Sequence, residues 1–140
     1  YPDSYTRVVL STFWQYPWVY IAAADNGIFI VNAEDPRNFI PSPGKLWDCH
    51  FPGGRGVRVD THAHIGYEMP GCFDSLLAKL IVWGQDREEA IAKMKAALIE
   101  TTLIGVDTVI PLHQAILDEP DFIARDVTIQ YIEDHPNLLG

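Results

Sequence analysis

This 140-residue sequence has little cysteine and few basic side chains relative to acidic ones. Its two cysteines, Cys49 and Cys72, cannot build a disulfide framework, so a reduced, cytoplasmic protein is the expectation. They also lack CxxC spacing and a nearby fixed His–acid pair, which argues against a thiol nucleophile. Ten Lys and Arg against nineteen Asp and Glu leave a net charge of −9, and the few cations do not cluster. Neutralising a phosphate backbone takes clustered cations, so no nucleic-acid partner is expected. Long apolar runs are missing as well: Trp18 to Ala24 is far short of the roughly 20 residues of a membrane-spanning helix, and no membrane association is expected. Tyr1 to Gly27 carries one basic residue, and Trp and Pro stand where a cleavable leader places small residues, so no secretory signal is expected there. Nor does a glycine-rich loop open a helix. Gly53-Gly54-Arg55-Gly56 runs from one strand pattern into another, which makes it a turn and not a phosphate cradle.

What the sequence does contain suffices for one compact domain, with 48% of residues hydrophobic and 21% charged. Its first third reads as consecutive strands. Thr6 to Trp14 and Trp18 to Ala24 are rich in β-branched and aromatic residues, with Gln15-Tyr16-Pro17 between them. Asp25-Asn26-Gly27 supplies a hairpin turn before Ile28 to Asn32, completing a β-meander. Asn32 to Lys45 holds Pro36, Pro41, Pro43 and Gly44 and reads as a long loop. Leu46 to Phe51 is a further strand. Val57, Val59, Thr61, Ala63 and Ile65 then alternate with Arg58, Asp60, His62 and His64, which predicts a half-buried strand with the polar groups on one face. Leu76 to Trp83, nearly continuous apolar, is expected to be strand because Ile81-Val82 is β-branched and Gly84 follows.

Asp86 to Thr101 predicts a helix, with Asp86 as N-cap, Glu89 in the capping-box position and Ile91, Met94, Ala97 and Leu98 on one stripe. Glu89 and Lys93 form an i,i+4 pair, and Gly105 lies beyond the helix end. Ile110 to Asp118 is a second helix with Pro111 in its first turn. A short helix near Thr128 to Asp134 precedes Pro136. Strands first and helices last give an α+β fold, antiparallel strands followed by two or three helices.

Few residues suggest chemistry. On one strand face His62 and His64 would lie about 7 Å apart, a spacing two metal-ligating imidazoles can use. Asp60 on that face, or Cys49 and His50 on a neighbouring strand, could complete such a site; a polar outer face is the alternative. Six carboxylates between Asp118 and Asp134 against one Arg125 read as a solvated face, since no calcium-loop pattern is present. Phe13, Trp14, Tyr16, Trp18 and Tyr20 read as core filler. Asp74, just before an apolar strand, is a lone carboxylate that needs a partner if buried.

Several motifs in register point further. They are Asn32-Ala33-Glu34-Asp35-Pro36, Pro41-Ser42-Pro43-Gly44, Pro52-Gly53-Gly54 and Gly56-Val57-Arg58-Val59-Asp60. Phe73-Asp74-Ser75-Leu76-Leu77-Ala78-Lys79-Leu80-Ile81, Gly84, Asp86-Arg87-Glu88-Glu89-Ala90 and Gly105-Val106-Asp107-Thr108 follow in order. From about Ile28 to Glu133 the chain resembles the C-terminal domain of biotin carboxylase, the ATP-dependent component of acetyl-CoA, propionyl-CoA and pyruvate carboxylases. The resemblance divides the chain into a divergent aromatic-rich strand segment, residues 1–27, and a C-terminal-domain-like part, residues 28–140.

The resemblance implies packing against an ATP-grasp portion, a biotin carrier protein as partner, and a homodimer with Arg55 and Arg58 near the contact. Biotin, ATP and magnesium belong to the complete enzyme, and the domain alone is expected to bind no cofactor. What the family's domain gives to the reaction is the arginine of a Glu-Cys-Arg triplet, which stabilises the enolate of the biotin ureido group. Here the triplet reads Ile28-Phe29-Ile30, with Ile30 in the arginine's place. Cys72 replaces an aromatic and Val109 an asparagine. Asp74 matches a residue toward the biotin side and is the one catalytic-site candidate. Two readings follow: the C-terminal domain of a biotin carboxylase, or an inactive detached domain serving as a structural or dimerisation module. Metal binding through His62 and His64 is a minor third.

Overall fold

Residues 6–11, 18–23, 27–32, 44–69 and 76–139 are described by the structure, a computed structural model, with side chains for 44–69 and 76–138. The β-branched segments become β1 (Thr6–Ser11), β2 (Trp18–Ala23) and β3 (Gly27–Asn32), an antiparallel meander with Tyr20 opposite Ile30. The expected aromatic break at Gln15-Tyr16-Pro17, most of the Asn-Gly turn and the loop over 33–43 lie outside the described residues, as do Phe13, Trp14, Cys72 and Asp74.

Of the expected strand from Leu46 to Phe51, only β4 (Asp48–His50) forms. The next alternating run gives β5 (Val57–Thr61). It stops four residues early because Thr61 turns the chain, its hydroxyl donating to the Leu77 carbonyl and accepting from the Ala63 amide. The Gly53–Gly56 segment is a turn as expected, closed by Val57 N–H onto the Gly54 carbonyl at 3.2 Å. The apolar run becomes β6 (Ala78–Gly84). It pairs with β1 on one side and β5 on the other, so the sheet order is β3-β2-β1-β6-β5 with every neighbour antiparallel. β6 is not buried throughout. Leu80 and Val82 are buried, whereas Lys79 and Trp83 are exposed on the opposite face.

The sheet's inner face is covered by α1 (Arg87–Glu100). Its stripe of Ala90, Ile91, Met94, Ala97 and Leu98 is buried in one cluster with Leu80 and Val82. Each fully buried large aliphatic of this kind contributes about 1.5–3 kcal/mol. Asp86 caps the helix, its carboxylate accepting from the Glu89 amide at 2.8 Å. The reciprocal arm differs from a capping box: the Glu89 carboxylate reaches the Gln85 amide, one residue further out, while also pairing with Lys93 at 2.8 Å. Asp86→Ala is expected to lower stability by about 1 kcal/mol, read as a shift in urea midpoint at unchanged slope.

Gly105 lies beyond the end of α1, as expected. The helix closes at Thr101, and β7 (Thr102–Ile104) follows and pairs with β4 in a separate two-stranded sheet. Gly105 has φ +112°, and a Cβ there would overlap the Lys45 carbonyl oxygen, so glycine lets these two segments cross. α2 (Ile110–Asp118) forms over its expected span. An additional helix, α3 (Pro120–Ala124), starts at Pro120 and buries Phe122. The last expected helix shortens to α4 (Tyr131–Asp134), followed by a 3₁₀ turn over Pro136–Leu139.

Arg87 joins these layers. It sits beside Glu88 and Glu89 in the first turn of α1, yet it is 7% exposed. Its guanidinium donates to the Phe122 and Ile123 carbonyls of α3 and lies 4.8 Å from the Phe122 ring. Burial lowers its pKa, with Arg125 adding to the effect.

Candidate functional site

Alternation along β5 and β6 builds one exposed polar surface. Arg58 and Asp60 point away from the helices, and across the ladder they face Ile81 and Lys79. Arg58 grips Asp60 two-pronged, Nε to Oδ1 at 2.8 Å and an Nη to Oδ2 at 2.9 Å. That hydrogen bonding holds the Asp60 carboxyl below its ordinary range and raises Arg58. Both groups are well exposed, so the pair orients side chains more than it stabilises the fold. Arg55, in the turn before β5, is exposed as well.

The two histidines do not share a strand face, because β5 ends before them. His62 Nε2 is 3.1 Å from the Tyr67 hydroxyl, and His64 Nδ1 donates to the Ile65 carbonyl at 3.0 Å. Their rings stand edge-on to Tyr67, with centroids 5.0 and 5.8 Å away, so they flank a phenol instead of converging on a point. Asp60 is held by Arg58, and Cys49 and His50 belong to the β4–β7 sheet, not to a strand beside β5. Among the described residues no three His, Cys, Asp or Glu groups are arranged to hold a metal ion. The Cys49 thiol is half-buried, and burial followed by the Asp48 charge pushes its pKa up, away from nucleophilic character.

Position 30 is central in β3, an edge strand of the main sheet, and α4 packs against that strand. An isoleucine there offers no hydrogen-bond donor. The glycine turn leads into β5 and so presents no helix N-terminus to a nucleotide. Asp74 lies outside the described residues.

Sequence reasoning missed His113. It is 1% exposed on α2, and among the described residues neither ring nitrogen has a hydrogen-bond partner. The signal was present in the period: Leu112, His113, Ile116 and Leu117 recur on one helical stripe, and all four are buried.

Fold and surface together define an α+β domain in which helices cover one face of an antiparallel sheet. Its carboxylates, among the described residues, are exposed or half-exposed. A family model of the biotin carboxylase C-terminal domain matches residues 29–134, and the chain belongs to that family. It is 50% identical to biotin carboxylase of Haemophilus influenzae over 103 residues, covering 74% of this chain and 23% of that protein. It is 43% identical to biotin carboxylase 1 of Bacillus subtilis over 106 residues, covering 75% of this chain and 24% of that protein. Among solved structures, the biotin carboxylase domain dimer of Hydrogenobacter thermophilus 2-oxoglutarate carboxylase, in complex with MgADP, ADP and bicarbonate, superposes with a TM-score of 0.72. Identity there is 42%, over 78% of this chain and 24% of that one. The chain thus spans about a quarter of the length of these relatives.

Proposed function

We propose that the chain acts as the C-terminal domain of a biotin carboxylase, contributing to ATP- and bicarbonate-dependent carboxylation of biotin together with an ATP-grasp portion. The in-register family match over residues 29–134 carries this reading. Residues 28–140 are the part that resembles the family's C-terminal domain, and residues 1–27, a divergent strand segment, belong with them to one compact domain overall. Nucleotide, magnesium and biotin are handled mainly by the ATP-grasp portion, with a biotin carrier protein presenting the acceptor. Asp74 is the candidate on the biotin side. The exposed turn and strand carrying Arg55 and Arg58 serve as a homodimer surface, and the protein works in the cytoplasm.

The test is complementation. A biotin carboxylase lacking its C-terminal domain is mixed with this chain, and binding and biotin-dependent ADP formation are measured. Stable association is expected, with no ADP formed by the chain alone. ATP turnover by the isolated chain, or no association, overturns the reading.

A second reading rests on Ile30. A chain that keeps the packing residues but has lost the family's arginine is a structural or dimerisation module that binds and does not restore turnover.

A further inference from the structure

The acidic stretch between α2 and the C-terminal end is mostly solvated, as its composition implies, but Asp121 is paired with a titratable ring. His135, at the C-cap of α4, places Nδ1 2.8 Å from the Tyr131 carbonyl and Nε2 3.2 Å from Asp121 Oδ2 on α3. Its ring stacks on the buried Tyr131 ring, centroids 4.2 Å apart and planes at 27°. Both ring nitrogens thus face acceptors. A neutral imidazole donates from only one nitrogen, so only the imidazolium satisfies both contacts.

We propose that His135 is a proton-operated latch: protonated, its Nε2–H ties residues 131–138 to α3 through Asp121 while Nδ1–H donates to the Tyr131 carbonyl within the segment, and a neutral ring that keeps the Nδ1 bond loses the tether to Asp121. Asp121 and Glu119, from α3 and its N-cap, supply the negative charge around the ring. α4 carries Tyr131, Glu133 and Asp134, while β3, which packs against α4, and the 3₁₀ turn carry no titratable side chain. The hydrogen bond to the Tyr131 carbonyl raises the ring's pKa above its ordinary 6.5, with Asp121 and Glu119 adding to it and burial opposing it. A raised value means the tether is fully made below pH 6.5 and is lost as pH climbs through the folded-state value. Because α4 backs β3, the latch also sets how firmly the edge strand carrying Ile30 is supported.

Amide hydrogen exchange of the 140-residue chain, corrected for intrinsic rates and followed from about pH 5.5 to about 8.5, tests this. Protection over residues 132–138 should fall about two- to five-fold toward alkaline pH, the range a partly exposed ion pair supplies. The midpoint should coincide with the NMR titration of the His135 ring. His135→Gln should flatten the profile, and Asp121→Asn should shift the ring's midpoint down and shrink the step. A ring that titrates while protection stays constant overturns the latch, as does an unchanged step in His135→Gln.

Discussion

Ile30→Arg is expected to raise biotin-dependent ADP formation about 10²–10³-fold in the complemented enzyme. Negative charge develops on the biotin ureido oxygen when its ring nitrogen is made nucleophilic, and a preorganised guanidinium is the donor suited to it. Position 30 lies opposite Tyr20 in β3, so the ladder register is set by backbone pairing and not by the residue's identity. β3 is an edge strand, where a charged residue is well tolerated. The measurement is the biotin-dependent rate of the variant and parent chains, each mixed with the same ATP-grasp portion. A large gain supports a catalytic domain disabled at one position. Equal rates, with both chains still bound, favour the module reading.

The second large effect is acid sensitivity. Burial depresses the His113 pKa from its ordinary 6.5 to about 4. An unfolded chain binds the proton at the higher value and the folded chain only at the lower one. Stability is therefore fully present above pH 6.5 and is lost as pH falls toward 4. The loss by the lower limit is on the order of 3 kcal/mol, since each unit is worth about 1.4 kcal/mol. His113→Leu should remove this dependence and cost little at neutral pH, because neither ring nitrogen has a partner to lose among the described residues. Urea midpoints of parent and variant across that pH window check it. Parallel curves would falsify the assignment. The effect runs opposite to that of His135, so acid tightens a surface tether while loosening the interior.

Sequence periodicity revealed the parts of this fold in which one residue spacing dominates. The alternation from Val57 gave β5, and the stripe from Ile91 to Leu98 gave α1 with its cap. Sequence reasoning failed where a single side chain redirects the chain. Thr61 ends β5 through two hydrogen bonds that no period encodes, and with it went the shared face assumed for His62 and His64. β7 is three residues long, too short to show any alternation, and its partner β4 is far from it in the chain. α3 could have been anticipated from Pro120, which suits a first helical turn, but the surrounding acids read as a solvated face. Arg87 was hidden by its acidic neighbours, because its partners are carbonyl groups of a helix that no period announces. The family, by contrast, was legible from motif order alone, since packing residues around β5, β6 and α1 tolerate little change in volume.

Arg87 has a consequence for behaviour in salt. The surface pairs, Lys95 with Asp118 at 2.6 Å between α1 and α2 and Lys93 with Glu89 within α1, are exposed enough for dissolved ions to weaken them. Arg87 holds α3 through one buried and one part-buried carbonyl contact, with no carboxylate partner among the described residues and little access for counterions. The junction of α1 with α3 therefore keeps its geometry as ionic strength rises, and the helical layer loosens from its rim before its seam.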